Sequence, residues 1–311
     1  QDSRTPVFVS GTEGYHTFRI PALLTTTRGT LLSFCEGRKL NGSDSGDIDI
    51  VLRRSSDNGR TWQPLKVVAD MDEHTIGNPT PVLDRTTGRI HLLLTRNHGA
   101  DKQKEIEEGT SRVPRTPWVM TSDDDGRTFV RRSQGPVCDR SLEEPFFNTA
   151  PYVLVEDGVW RMWYISCTGW EVIHGRPEPR YHVKYAESAD GVRWRRDGVV
   201  CLDYDDRAEA LGRPCVIRQD GRYRMYFSYR SLTDYRTTAG RGYRIGLAES
   251  SDGRHWRKRY DDTGIALSAE GWDSVMMEYC HVFRHDGHHY MLYNGNDFGR
   301  DGFGYAVTDR L

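Results

Sequence analysis

The sequence lacks any hydrophobic run long enough to cross a membrane, and it lacks blocks of like charge. A membrane-spanning helix needs about 20 consecutive apolar residues, and no stretch of this chain approaches that length. The 43 basic and 45 acidic residues are interspersed and give a net charge of −2. Because nucleic-acid and membrane-surface binding usually show as basic tracts, we expect neither partner.

Cysteine is also scarce, at six residues in 311, and no two cysteines have the CxxC spacing of a zinc or redox site. Most of them fall within apolar segments, which predicts buried free thiols rather than a disulfide framework. Four histidines near the end of the chain lack a spacing that would place them together as metal ligands: His281, His285, His288 and His289. We therefore expect no metal and no other cofactor.

What the sequence does contain is a short turn phrase that recurs four times. The copies are Ser55–Trp62, Ser122–Phe129, Ser188–Trp194 and Ser250–Trp256, and the steps between their central aspartates are 67, 66 and 62 residues. A near-constant period is typical of repeat architectures. Serine and aspartate side chains accept backbone N–H groups across tight turns, and glycine takes the positive φ angle. We expect these phrases to be structural, with none of their aspartates catalytic.

The intervals between the phrases contain short apolar segments separated by Asp-Gly or Thr-Gly turns, the pattern of antiparallel strands joined by hairpins. Five such intervals are present, with inner strands expected at residues 18–23, 79–83, 150–154, 214–217 and 280–283. The predicted fold class is all-β, a β-propeller of five blades with four antiparallel strands each. It forms a single domain over residues 1–311. The fifth blade lacks its outer strand, which residues 5–9 are expected to supply, closing the ring.

Residues 1 to about 130 resemble the N-terminal blades of exo-sialidases (neuraminidases) of the six-bladed type. An ordered set of motifs carries the resemblance: Phe18-Arg19-Ile20-Pro21, Glu36-Gly37-Arg38, the segment Asp44–Val51 and the first turn phrase. The resemblance implies that Arg19 binds the carboxylate of a sialic acid and that Arg38 lies beside it. It also implies that Asp44 is the acid/base.

Residues from about 135 to 311 resemble a different family, the five-bladed propellers related to arabinanases, fructosidases and mannoside phosphorylases. Gly212-Arg213-Pro214, Asp220–Ser228 and Asn294–Gly299 carry this second resemblance. The turn phrase also shortens from eight residues to seven across residues 129–136. We therefore predict a hybrid, engineered or recombined, with sialidase-like blades in 1–132 and five-bladed-family-like blades in 133–311.

The candidate catalytic residues follow from glycosidase chemistry. Most glycosidases use two carboxylates, whereas sialidases use a tyrosine nucleophile that a neighbouring carboxylate must activate. Glu278 and Tyr279 precede the last inner strand and are candidates for such a pair, with Asp44 as acid/base. An anionic sugar also calls for arginine, which pairs with a carboxylate through two hydrogen bonds. The candidate substrate-binding residues are Arg19, Arg38, Arg213, Arg230, Glu144 and Glu209.

Each candidate also has a structural interpretation, such as a salt bridge for Arg19 or a turn cap for Asp44. Three functions therefore stay open: an exo-glycosidase of sialidase type, a hybrid propeller scaffold without a complete active site, and a glycan-binding module that does not cleave. A glycosidase-type site, incomplete or repurposed, ranks first. The expected partner is carbohydrate, in particular a sialylated glycan, and the expected state is a monomer.

Overall fold

The computed structural model shows an all-β chain whose strands follow one another in antiparallel groups. It describes residues 6–309 except 109, 237, 239 and 301. We call the successive groups units 1 to 5. The described residues contain two short helices, α1 (Gln103–Glu107) after the second strand of unit 2 and α2 (Asn296–Gly299) after the second strand of unit 5, and neither has the length and hydrophobicity to span a membrane.

The strands of units 1 and 2 are joined in one eight-stranded sheet by a single parallel bridge between Ile48 and Thr75. Unit 1 contains β1 (Thr17–Thr25), β2 (Leu31–Arg38), β3 (Ile48–Ser55) and β4 (Lys66–Ala69). Unit 2 contains β5 (Thr75–Leu83), β6 (Ile90–Asn97), β7 (Thr116–Ser122) and β8 (Val130–Arg131).

Units 3 to 5 are separate sheets of four, four and three strands. Unit 3 contains β9 (Asn148–Glu156), β10 (Val159–Ile173), β11 (Arg176–Ser188) and β12 (Val200–Leu202). Unit 4 contains β13 (Ala210–Gln219), β14 (Arg222–Arg230), β15 (Arg244–Ser250) and β16 (Arg257–Lys258). Unit 5 contains β17 (Glu278–His285), β18 (His288–Asn294) and β19 (Phe303–Thr308).

The first strand of every unit passes through an irregularity in its pairing at a residue with positive φ. These residues are Ile20, Asn78, Ala150, Arg213 and Tyr279, with φ of 58°, 52°, 47°, 23° and 55°. Left-handed backbone at non-glycine residues is unfavourable and tends to mark functional sites, and a bulge re-aims its side chain. The later inner strands therefore begin two to four residues earlier than predicted, because each strand continues back across the bulge.

In all four turn phrases the serine hydroxyl donates to the aspartate and accepts the glycine N–H, whereas the other contacts of the aspartate differ between the eight- and seven-residue copies. In the first, the Ser55 hydroxyl donates to Asp57 and accepts the Gly59 N–H at 2.9 Å, and the Thr61 N–H and hydroxyl donate to Asp57. The seven-residue copies have no threonine. There the aspartate accepts two successive backbone N–H groups instead, as Asp252 does. These local contacts account for the phrase without any catalytic role.

Apolar side chains fill the space between consecutive units. Leu32 and Leu92 belong to a cluster shared by units 1 and 2, and Trp163 and Phe227 to one shared by units 3 and 4. All six cysteines are buried and free, which confirms the predicted thiols.

Unit 5 also contacts unit 1. Leu292 packs with residues of β1 and β2, and Asn294 Oδ1 accepts the Ile20 N–H at 3.2 Å. The N-terminal closing strand is not observed: residues 6–10 form no strand, and Thr5 lies outside the described residues. Instead, Phe8 packs against Phe303 at the start of β19.

Candidate functional site

One pocket receives the bulge residue of every unit. Its empty volume, including the open mouth, is about 980 Å³. The residues contributed by the five bulges are Ile20, Asn78, Ala150, Arg213 and Tyr279. All five units therefore contribute a bulge residue to the lining of this pocket.

Arg19, Arg38 and Asp44 form an ion-paired trio at this pocket. Asp44 Oδ1 accepts hydrogen bonds from Arg38 Nη1 at 2.8 Å and from Arg19 Nη1 at 3.1 Å. Both arginine side chains are 3% exposed, whereas the Asp44 side chain is 51% exposed. The trio thus presents an accessible carboxylate held by two buried cations.

The electrostatics of the trio set the protonation state of Asp44. Although desolvation alone would raise the pKa of this carboxyl, Arg38 and Arg19 outweigh it and hold the pKa well below its usual range. Asp44 is therefore a carboxylate at neutral pH in the unliganded pocket. It acts there as the counter-ion of the two arginines.

Glu36 fixes the position of Arg38. Its Oε2 accepts from Arg38 Nη2 at 2.6 Å and from Nε at 3.1 Å, and its Oε1 accepts the Asn78 N–H at 2.9 Å. Glu36 was part of the motif that suggested Arg38 but was not itself singled out. Its position two residues before the arginine, on the same face of β2, was the available signal.

Glu278 and Tyr279 also reach Arg19. Glu278 is fully buried, with Oε1 3.6 Å from Arg19 Nη2, and neither of its oxygens accepts a hydrogen bond from a described residue. Burial raises the pKa of Glu278 to about 8 despite the opposing effect of Arg19. The Arg19 guanidinium carbon lies 5.5 Å from the Tyr279 ring centroid.

The predicted activation of Tyr279 by Glu278 is not visible in the unliganded geometry. Burial, Tyr243 and Glu278 raise the pKa of the Tyr279 hydroxyl well above its ordinary value, so it is a neutral phenol. The candidates Asp44, Glu278 and Tyr279 thus all lie around the guanidinium of Arg19. Only Asp44 and Tyr279 of these line the pocket surface.

Arg213 and Arg230 line the pocket from unit 4. Arg213 Nη2 donates to the carbonyls of Pro21 and Pro79, at 2.9 and 3.2 Å, and so ties unit 4 to units 1 and 2. Arg230 donates from Nε to the Tyr243 hydroxyl at 3.2 Å. Burial lowers the pKa of Arg213, and its Nη1 has no hydrogen-bond partner among the described residues.

Replacing Arg213 by methionine is expected to lower the free energy of unfolding by about 2 kcal/mol, because two buried carbonyls lose their donor. Arg218→Met on the same strand is the matched control. Its side chain is 46% exposed and pairs with Glu156, an exposed interaction whose loss is expected to cost much less stability than that of Arg213. Urea unfolding of both variants measures the difference, and equal losses would contradict the bracing role of Arg213.

The structure places Glu144 and Glu209 in other networks. Glu144 is 3% exposed and paired with Lys184 at 3.2 Å and Arg196 at 2.5 Å, all within unit 3 or its preceding loop. Glu209 accepts the Leu232 N–H at 3.0 Å and supports the loop after β14. Neither lines the pocket.

Several lining residues were not anticipated from the sequence. Tyr181 lies in β11, and the others lie in connections between strands, which have no periodicity to reveal them: Arg115, Tyr235, Arg236, Tyr243 and Phe298.

One group of carboxylates has the spacing of a metal site, namely Asp47, Asp49 and Asp70. The Lys39 ammonium lies 2.8, 3.1 and 3.7 Å from their oxygens. Lys39 thus brings a positive charge to this cluster, which forms an ion-pair network in the structure.

Sequence comparison finds relatives of two kinds. The chain is 40% identical over 199 residues to an uncharacterized protein of Mycobacterium tuberculosis, a match that covers 62% of each chain. It is 38% identical over 135 residues to an exo-alpha-sialidase of Arthroderma benhamiae, covering 38% of this chain and 33% of that protein. The matches thus span less than two thirds of the length of these relatives.

Solved structures show the same fold at low sequence identity. A thermostable family-43 glycoside hydrolase matches with a TM-score of 0.68 and 14% identity, covering 98% of this chain and 91% of the other. A Hadza microbial sialidase matches with a TM-score of 0.58 and 19% identity, covering 96% and 57%.

The fold is therefore that of the glycoside-hydrolase propellers and is related to the sialidases. A model of the BNR repeat-like domain matches residues 29–308. That match runs across the junction near residue 130 at which the hybrid was predicted to change family, and the hybrid origin stays a prediction. The chain belongs to the family of BNR repeat-like domains.

Proposed function

We propose that the pocket binds and hydrolyses a glycoside whose terminal sugar carries a carboxylate, with a terminal sialoside as the substrate. The observation that carries the proposal is the trio at the pocket, in which an exposed carboxylate neutralises two buried arginines. A planar carboxylate on a ligand matches the guanidinium fork as well as Asp44 does. The similarity of this chain to an exo-alpha-sialidase supports sialic acid as the terminal sugar.

Binding would change the protonation of Asp44. When the substrate carboxylate pairs with Arg19 and Arg38, Asp44 loses its two cationic partners and gains an anionic neighbour. Both changes raise the pKa of Asp44 toward the range in which a carboxyl group can donate a proton. Asp44 would then protonate the leaving oxygen of the glycoside, and later accept a proton from water.

Tyr279 is the proposed nucleophile, since it lines the pocket next to Arg19. Its hydroxyl must lose a proton to attack the anomeric carbon. Glu278 is proposed as the acceptor of that proton, and its pKa of about 8 would make it a stronger base than an ordinary carboxylate once ionised. The unliganded structure holds this pair in the neutral state, so substrate binding must also reorganise it.

The architecture around the pocket is the second part of the proposal. We propose that the five units are blades of one closed propeller and that residues 1–311 are a single domain. The convergence of all five bulges on one pocket and the contacts between units 5 and 1 support this arrangement. Closure by packing, as at Phe8 and Phe303, replaces the strand pairing that the sequence suggested.

A fluorogenic aryl sialoside tests the function. We expect time-dependent release of the fluorophore by the purified protein and its loss in Arg19→Ala. Binding of the sialoside without release would instead identify a glycan-binding module. Absence of both binding and release, in a protein that unfolds cooperatively, would identify a scaffold without a working site.

A further inference from the structure

The wall of the pocket formed by unit 4 carries two arginines on one aromatic ring. The guanidinium carbons of Arg230 and Arg236 lie 3.6 and 4.2 Å from the ring centroid of Tyr235, so the two carbons are separated by no more than about 8 Å. Arginine stays charged at all physiological pH values. Two cations held this close repel each other, and an anion placed between or beside them offsets the repulsion.

No carboxylate forms an ion pair with either arginine within the part of the chain that the structure describes. Arg230 uses Nη1 and Nε on backbone carbonyls and the Tyr243 hydroxyl, all uncharged acceptors. Arg236 contacts the rings of Tyr235 and Phe298 and also acts electrostatically on the buried Glu278, whose raised pKa of about 8 leaves it mostly protonated at neutral pH. The positive charge of this wall is therefore left for a ligand.

This wall lies close to the trio. Arg19 Cζ is 5.3 Å and Arg236 Cζ 5.5 Å from the Phe298 ring centroid, so the two carbons are at most about 11 Å apart. Phe298 has a left-handed backbone, with φ of 59°, an arrangement that the fold must hold in place. Its ring is thus in contact with one cation of the trio and one cation of the unit 4 wall.

The pocket has more positively charged than negatively charged lining residues. Five arginines line it, namely Arg38, Arg115, Arg213, Arg230 and Arg236, against two carboxylates, Glu36 and Asp44. Both carboxylates pair with Arg38, and Asp44 also with Arg19. One substrate carboxylate at the trio would leave most of the remaining cations without a counter-charge.

We propose that Arg230 and Arg236 form a second anion subsite, so that the substrate is a glycan with two anionic groups. This inference rests on the proposed function, which places the terminal carboxylate at Arg19 and Arg38. The second group, on the same or the adjacent sugar, is an oxyanion, either a carboxylate or a sulfate ester. Tyr243 and Phe298, which also line the pocket, supply aromatic surface for the sugar between the two anions.

Calorimetric titration at constant ionic strength tests the subsite with four probes, of which the sialosides are uncleavable analogues: a monosialoside, a disialoside, a sulfated monosialoside and inorganic sulfate. We expect the disialoside to bind about tenfold tighter than the monosialoside, as for one additional charge-assisted hydrogen-bonded group. Arg236→Ala is expected to remove that advantage and to weaken sulfate binding. Arg28→Ala, in the exposed turn between β1 and β2, is the matched control and leaves all affinities unchanged.

The sulfated probe separates the two oxyanions. If it binds as tightly as the disialoside, the subsite accepts oxyanions in general, and if it binds like the monosialoside, the subsite selects a carboxylate. Equal affinities for the monosialoside and both dianions in the native protein would overturn the inference.

Inorganic sulfate separates this inference from the proposed function. If no sialoside binds but sulfate binding weakens in Arg236→Ala, the proposed function fails and the anion subsite stands. If no sialoside binds and sulfate binds equally to the native protein and the variant, both fail.

Discussion

Asp44→Asn is expected to lower kcat for sialoside hydrolysis by about 10²–10⁴, the contribution typical of general acid–base catalysis. The substitution keeps the size of the side chain but removes the proton that the leaving oxygen needs. It also removes the carboxylate that competes with substrate for Arg19 and Arg38, so KM is expected to stay the same or fall. A drop in kcat together with an unchanged or lower KM distinguishes this role from a purely structural one.

The leaving group provides a second readout for Asp44. A phenol leaves readily without protonation, whereas the hydroxyl of a second sugar does not, so the loss in Asp44→Asn is expected to be larger for sialyllactose than for an aryl sialoside. Asp47→Asn is the matched control, because Asp47 lies in the same loop, pairs with Lys39 and does not line the pocket. Equal losses in the two variants, or equal losses on the two substrates, would contradict the assignment of Asp44 as the acid.

Glu278→Gln is expected to remove the loss of stability that ionisation of Glu278 causes in the native protein as the pH rises. Glu278 has a pKa of about 8 in the folded protein, above its ordinary value of 4.5, which applies to the unfolded chain. Between these two values the folded protein binds more protons at this site than the unfolded chain does, so stability falls as pH rises through that window. Glutamine cannot ionise. The variant should therefore gain stability relative to the native protein, on the order of 3 kcal/mol, between pH 5 and pH 8.

Chemical unfolding at several pH values measures this effect. The exposed Glu270 provides the control, and Glu270→Gln should follow the pH dependence of the native protein. A difference between Glu278→Gln and the native protein that stays constant from pH 5 to pH 8 would show that Glu278 is ionised throughout, paired with Arg19. The pKa of Glu278 would then not be raised, and Glu278 would be a weaker base toward Tyr279 than proposed.

Local chemistry explains which parts of the fold were predictable. The turn phrases are closed by contacts among residues at most four apart, such as Ser55 with Gly59, and sequence alone determines them. Arg19, Arg38 and Asp44 were found because they stand in ordered motifs, and the structure brings them within hydrogen-bonding distance.

The start of the inner strands was harder to place. Proline follows the bulge residue in units 1 to 4, as at Pro214 after Arg213, and proline usually begins a strand. Here the strand continues across the bulge, since the pairing resumes on its other side, between Gly212 and Ser228. The bulge itself, which directs Arg213 and Tyr279 into the pocket, has no clear local signal.

For other residues, contacts between positions far apart in the sequence determine whether they reach the pocket. Glu144 precedes an inner strand as a pocket carboxylate would, but Lys184 and Arg196, from later in unit 3, neutralise it away from the pocket. Arg236 and Phe298 lie in loops whose sequence shows no period, so only the folded chain reveals that they share a wall with Arg19.

Proton uptake on binding tests most directly whether a ligand carboxylate replaces Asp44 at Arg19 and Arg38. An uncleavable sialic acid analogue is titrated into the protein near pH 5 in buffers of different ionisation enthalpy, which reports the protons exchanged. The pKa of Glu278, about 8 without ligand, already keeps it protonated at that pH, and a ligand carboxylate nearby would raise this pKa further, so Glu278 is not expected to add to the signal. We predict net proton uptake in the native protein, tighter binding as pH falls from 7 to 5, and neither effect in Asp44→Asn. Tight binding without proton uptake, or uptake that persists in Asp44→Asn, would contradict the account.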